Sequence, residues 1–193
     1  MANTMKTLDK IEKKKYIAEK TLELISKKGL ANFTMEDVAV ACNVSKGSLY
    51  NYFKNKNALI IAAFSALMEK MLSFFEEKIS EPESDSLEKS AEIYTQIYSE
   101  ILSSFPSGDL LRLLEILLNS THDPSMMQTL TKTFKEYYNK ILSNFEKIFK
   151  SKSSALMLQA MFDGLVIYKA FGVEISDEEI EENVRKIVLC LAK

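Results

Sequence analysis

Between Phe33 and Leu59 the chain reads FTMEDVAVACNVSKGSLYNYFKNKNAL, a stretch in which small, aromatic and basic residues are interleaved. Lys46 can reach a guanine edge or a phosphate, and Ser48 and the hydroxyls of Tyr50 and Tyr52 can donate to phosphate oxygens. Gly47 keeps the front of a helix slim, so that its backbone could approach a groove closely. Asn51 shares the outer face, and Lys56 falls where the start of a following helix also favours an anion. Plainer readings stand beside these: Lys46 as a solvated lysine, and Tyr50 and Tyr52 packed against the next helix. The chemistry on offer is the grip of a nucleic-acid backbone, with Lys46, Gly47, Ser48 and Asn51 nearest to any base.

Such residues need two short helices joined by a sharp turn. Thr34-x-x-Asp37 is a capping-box pattern, and Met35, Val38, Ala39 and Cys42 fall on one face of the helix it opens. Asn43 stands where the chain must turn, being one of the few non-glycine residues that enter the left-handed region at tolerable cost. Ser45 caps the next helix, which Leu49 and Phe53 anchor inward with Val44 just before the cap. Ahead of them, Ile17, Thr21, Leu22, Leu24 and Ile25 recur at helical spacing in a helix from about Leu8 to Lys28, which Gly29 ends. Lys13, Lys14 and Lys15 are either a solvated helix end or a further phosphate contact.

The whole chain of 193 residues is 47% apolar with only five Gly and three Pro, the composition of an all-α protein with a real core. Charge is divided unevenly. Residues 1–60 carry eleven lysines against six acids, net +5, and residues 61–193 carry fourteen basic against twenty-one acidic residues, net −7. A basic head on an acidic body implies that only the head meets a polyanion. Cys42 and Cys190 sit in apolar helical patterns and share no ligand spacing with His122, which reads as a helix-end residue; no disulfide framework, metal site or cofactor is expected. No apolar leader is visible and no run approaches the length needed to cross a bilayer, so a cytoplasmic protein with no membrane partner is expected.

Beyond the head, a long helix from about Asn57 to Ile79 carries Leu59, Ala63, Leu67, Met71 and Phe74 or Phe75 inward, and Glu81–Ser86 is the clearest loop. Helices follow over about 87–105, 109–120 and 125–150, with breaks at Pro106-Ser107-Gly108, at His122-Asp123-Pro124 and at Ser151–Ser154. Ala155–Phe171 is apolar on nearly all sides and must be covered on more than one face. Gly172 ends it, and Ser176-x-x-Glu179 opens a last helix with Ile180, Val184, Ile187, Val188 and Leu191 inward. Met126, Phe134, Tyr137, Tyr138, Met157, Met161, Phe162 and Tyr168 could line an apolar cavity or be plain core. Asp163 is costly in so apolar a helix unless it is satisfied, which leaves structural, interface or ligand duty open.

The run Ala39-x-x-Cys42-Asn43-Val44-Ser45-Lys46-Gly47-Ser48-Leu49-Tyr50-x-Tyr52-Phe53-x-x-Lys56-x-x-Leu59 resembles the DNA-binding signature of the tetracycline-repressor (TetR) family of one-component regulators. The likeness extends back through Thr34, Phe33 and Gly29 and covers about the first sixty residues; Asn43 stands where the family usually has Gly. The resemblance implies nine or so helices, with a helix-turn-helix head at 1–56 and a ligand-binding and dimerisation body at 57–193. By matched position, Thr34, Lys46, Tyr50, Tyr52 and Lys56 would contact double-stranded DNA, with Ser45, Gly47 and Ser48 behind them. It also implies a homodimer formed by the last two long helices.

The function so implied is a ligand-responsive repressor released from a palindromic operator when a small, lipophilic effector binds the body. A body that docks a protein partner instead is the alternative. A helical enzyme fits poorly, since the chain has one His, no paired carboxylates in an apolar setting, no Gly-rich phosphate loop and no Cys–His pairing.

Overall fold

The computed structural model describes residues 9–79, 87–104, 107–149, 151–174 and 176–191. Among them are nine α-helices and no strand: α1 Lys10–Lys28, α2 Met35–Ala41, α3 Lys46–Tyr50, α4 Lys56–Ile79, α5 Leu87–Ser104, α6 Ser107–Asn119, α7 Pro124–Phe149, α8 Lys152–Ala170 and α9 Asp177–Leu191, with a 3-10 turn at Ser120–His122. The expected loop at Glu81–Ser86 lies outside the described residues.

Local chemistry explains most of the boundaries. Asp9 caps α1 by accepting from the backbone of Ile11 and Glu12, while Glu12 reaches back to the Asp9 amide. This box starts the helix two residues later than the apolar pattern alone suggests. Ser107 and Gly108 lie inside α6 rather than in the break before it. Pro124 opens α7, where its missing N–H costs nothing. The serine run before α8 is a start rather than a gap: Ser151 Oγ accepts from the Ser154 amide. At the start of α9, Ser176 Oγ accepts from the Glu179 amide at 3.4 Å.

The chain divides into two compact units. The first comprises Met1–Lys70 and Arg112–Phe134, the second Met71–Leu111 and Lys135–Lys193. Helices α4, α6 and α7 each contribute residues to both.

In the first unit α1 packs on α2 and α2 on α3, over the buried side chains of Ile17, Ile25, Phe33, Val38, Leu49 and Leu59. The Leu30 amide donates to Glu115 Oε1 at 3.1 Å and Asn57 Nδ2 to Asp123 Oδ2 at 2.9 Å, which ties the head to the residues of α6 and α7 in the same unit. In the second unit α5 packs on α8 and α9. Phe162 lies edge-on to Phe75 at 5.2 Å and to Tyr98 at 5.4 Å, ring centre to ring centre. Phe75, rather than Phe74, is the buried member of that α4 pair. Along α9 only Val184 and Val188 are buried, and Ile187 of the expected stripe is exposed.

One expectation is overturned. Lys56–Glu77, 22 residues, is long and apolar enough to cross a bilayer by length and composition. Leu59, Ile60, Ala63, Phe64, Leu67, Met68, Met71 and Phe75 of this segment are buried inside the protein, and a core helix covered on several sides reads like a span. Cys42 is buried as expected, its thiol pushed up to about 11 by that burial, and Cys190 is exposed.

Candidate nucleic-acid interface and the expected ligand residues

The turn between α2 and α3 fixes the angle of the candidate interface. Asn43 has φ +54° and is the one described non-glycine residue with positive φ. Its amide bonds to Val40 O and the Val44 amide to Ala39 O, both at 3.0 Å. These are the paired bonds of a Schellman ending, with Asn in the place glycine usually takes. Gly172 ends α8 by the same pair of bonds, to Lys169 O and Tyr168 O.

Caps complete the frame. Thr34 Oγ1 accepts from the Asp37 amide, and Asp37 Oδ2 accepts from the Thr34 amide and hydroxyl. Lys28 adds an ion pair of 2.6 Å to Asp37, so the end of α1 is tied to the first turn of α2. Lys28, then the Thr34 bonds, hold the Asp37 carboxyl below the usual carboxylate range. Ser45 Oγ accepts from the Ser48 amide at 3.1 Å and donates to Ser48 Oγ at 2.9 Å. Leu49 and Phe53 are buried beneath, as expected.

This frame leaves Ser45, Lys46, Gly47, Tyr50 and Asn51 exposed, with Ser48 and Tyr52 half-buried. A Cβ added to Gly47 would meet only Ser45 Oγ, at 3.9 Å, so nothing inside the protein demands a glycine there. Lys46 pairs with Glu36 Oε2 at 3.0 Å, which raises its ammonium above the ordinary lysine range. Sequence reasoning missed this partner, although Glu36 in the first turn of α2 is the acid a turn geometry would bring near. Lys56 is placed differently from the other lysines. Its ammonium donates to Ala31 O at 3.0 Å and lies 4.4 Å from the centre of the Phe33 ring, and burial lowers its pKa. It is thereby committed to the α1–α2 connection.

The expected ligand residues are found in both compact units. Met126 and Phe134 belong to the first unit and the other seven to the second. Tyr137 and Phe162 are buried, Tyr138, Met161 and Asp163 half-buried, and Met157 and Tyr168 exposed. Asp163 accepts from Gln159 Nε2 at 2.8 Å, and its charge bears on Tyr98, Tyr137 and Tyr138. Tyr98 and Gln159, both buried, are absent from the sequence-derived set: only the folded chain brings Tyr98 of α5 to this part of α8, whereas Gln159, four residues before Asp163 on the same helix, was within reach of helical spacing. The second unit also holds an open cleft of about 630 Å³ lined by Leu102, Leu165, Lys169, Glu174, Asp177 and Ile180 among others, none of them an expected ligand residue. No group of metal-ligating side chains occurs among the described residues.

Residues 17–63 match the family described as bacterial regulatory proteins, tetR family. YerO of Bacillus subtilis, an uncharacterised helix-turn-helix transcriptional regulator, is 35% identical over 82 residues, which cover 40% of this chain and 28% of that protein. Over nearly the whole length the likeness is one of fold. A Mesorhizobium loti protein assigned to the TetR family superposes with a TM-score of 0.71 at 16% identity, covering 95% of this chain and 96% of its own. The regulator FadR from Bacillus subtilis, solved with stearoyl-CoA, superposes with a TM-score of 0.62 at 17% identity, covering 90% and 96%. The matched relatives are regulators, and the chain is similar to the tetR family of bacterial regulatory proteins over residues 17–63 and shares the fold of solved TetR-family regulators over most of its length.

Proposed function

We propose that the chain is a ligand-responsive repressor that binds an inverted-repeat operator in double-stranded DNA as a homodimer, in the cytoplasm. The observation that carries this reading is the front of α3. Lys46, Gly47, Tyr50 and Asn51 stand exposed on a helix whose angle is fixed by the Asn43 turn and the Ser45 cap, within the residues that match the family. Thr34, Ser45 and Ser48 supply positioning contacts, Tyr52 flanks them, and Lys56 acts by bracing the connection between α1 and α2.

The outer side of α8 supports the homodimer. Met157 is 63% exposed, Tyr168 57% and Phe171 75%. A row of large apolar side chains on a helix that is buried along its other side suits a self-complementary contact. Two heads held at a fixed spacing then read two half-sites. Release follows from population shift: an effector that prefers one arrangement of the second unit biases the heads through α4, α6 and α7, which run through both units. FadR's stearoyl-CoA is a precedent for effector binding in this fold, and the effector here is proposed to be small and lipophilic.

Selection of bound DNA from a random double-stranded library tests the reading. Enrichment of an inverted repeat by the wild type, lost in Lys46→Ala/Tyr50→Ala, is the expected result; no enriched sequence, or the same enrichment by the variant, would sink it.

A further inference from the structure

We propose that Asp163 anchors the effector, and that the effector is an organic cation bearing N–H donors on an aromatic or apolar body. The inference rests on the reading of the second unit as an effector-binding body.

The geometry comes from three helices. Gln159, one turn before Asp163 on α8, donates to Asp163 Oδ1 at 2.8 Å, which leaves Oδ2 without a hydrogen-bond partner among the described residues. Gln159 is 3% exposed and its own Oε1 has no partner among the described residues. Tyr98 on α5 and Tyr137 on α7 are 5% and 7% exposed, and neither hydroxyl has a partner among the described residues. Buried polar atoms are nearly always satisfied, so three orphans close to one carboxylate mark a place where something else supplies the bonds.

The chemistry of the atoms selects what that is. A carboxylate oxygen and an amide oxygen accept only, so the group that completes them must donate; the phenols, which both donate and accept, do not discriminate. Charge narrows it further. Burial pushes Asp163 up to about 6, opposed by Gln159, and no described lysine or arginine acts on it. The ionisable groups facing it from α5 and α7 are Tyr98, Tyr137 and Tyr138, all pushed upward, so they stay neutral and supply no counter-charge. A protonated amine meets both needs. Beside it the Phe162 ring, edge-on to Phe75 and Tyr98, supplies an aromatic wall that favours a cation over a neutral isostere.

Calorimetry on the full chain without DNA at pH 7.5 tests this with two probes of one shape, 1-naphthylmethylamine and 1-naphthylmethanol. The amine should bind at least about tenfold more tightly than the alcohol. Asp163→Asn should abolish that preference, and Tyr98→Phe should weaken amine binding severalfold. Equal binding of the two probes, as expected if water alone bridges these atoms, overturns the proposal. So does failure of the amine to bind, or a preference that survives in Asp163→Asn. The wild-type comparison stands even if the variant misfolds. A chain that selects an inverted repeat yet shows no amine preference refutes this inference and leaves the regulator reading intact; the opposite pair of results refutes the regulator reading alone.

Discussion

The Lys46 ammonium lies 3.0 Å from Glu36 Oε2 and joins the first residue of α3 to the first turn of α2. Both side chains are more than half exposed, at 55% and 63%, so water screens the pair and it contributes little to stability. Its effect falls on binding instead, because Glu36 must release Lys46 before Lys46 can meet a phosphate or a base. Glu36→Gln should tighten DNA binding by roughly two- to fivefold at low salt, with the gain vanishing as salt screens the pair. Lys46→Ala should lower affinity and reduce the slope of log K against log salt by about 1. Titrations at several salt concentrations decide both.

Lys56 separates a brace from a phosphate contact. With its ammonium on Ala31 O and over the Phe33 ring, Lys56→Met should cost about 1 kcal/mol of stability, read from the urea midpoint. The salt slope of DNA binding should stay unchanged. A slope reduced by about 1 with stability intact would return Lys56 to the phosphate-gripping set.

Gly47 should show stability and function moving in opposite directions. There is room for a Cβ beside Ser45 Oγ, and alanine is the better helix former, so Gly47→Ala should be neutral or stabilising by up to about 1 kcal/mol. The added methyl stands on the slim front of α3, and DNA affinity should fall by about tenfold or more. Equal affinity would show that the backbone does not approach the groove there.

Legibility in the sequence tracked the range of the interaction that decides each feature. The Asn43 turn, the Ser45 cap and the Thr34–Asp37 box are settled within a few residues, and all three are present as read. The Asp9–Glu12 box was just as local, but the apolar pattern from Leu8 drew the boundary elsewhere. Lys56, at a helix start, suggests an anion contact, whereas the partners it takes lie 25 and 23 positions back in sequence. Asp163 stood out as an acid in an apolar helix, yet its setting depends on Tyr98 and Tyr137, whose convergence on α8 no periodicity contains. Exposure along α8 is half legible: a helix apolar on all sides calls for cover on more than one face, and among the described residues one side carrying Met157 and Tyr168 stays exposed.

Asp163 gives stability an unusual dependence on pH. A carboxyl raised from 3.8 to about 6 holds more protons folded than unfolded between those values. Its contribution is therefore most favourable below about 4 and is lost as pH rises through 6, the reverse of a salt-bridged acid. A shift of roughly two units sets a ceiling of about 3 kcal/mol, reduced by the partial exposure of the side chain. Asp163→Asn removes the charge and keeps an acceptor for Gln159, so at pH 8 the variant should be more stable than wild type by about 1–3 kcal/mol. The gap should close as pH falls towards 4. Urea unfolding at pH 4.5 and 8 measures it, and a gap independent of pH would show that the Asp163 charge costs the fold nothing.

The outer face of α8 makes the remaining prediction. Met157 is 63% exposed, and Gly164 on the same helix has nothing within 4 Å of where a Cβ would stand. Glycine inside a helix costs about 1 kcal/mol relative to alanine, and no contact among the described residues accounts for it; close backbone approach by a second copy in the proposed homodimer would. Met157→Glu places a charge in that contact and should convert the dimer to a folded monomer, as measured by sedimentation velocity. Linking two heads makes the second half-site encounter effectively intramolecular, a gain of about 10²–10⁴ that the monomer forfeits. Affinity for the inverted repeat should therefore fall by at least about a hundredfold while affinity for a single half-site stays as it was. A Met157→Glu protein that still sediments as a dimer would move the subunit contact off this face, and with it the element that sets the distance between the two copies of Lys46.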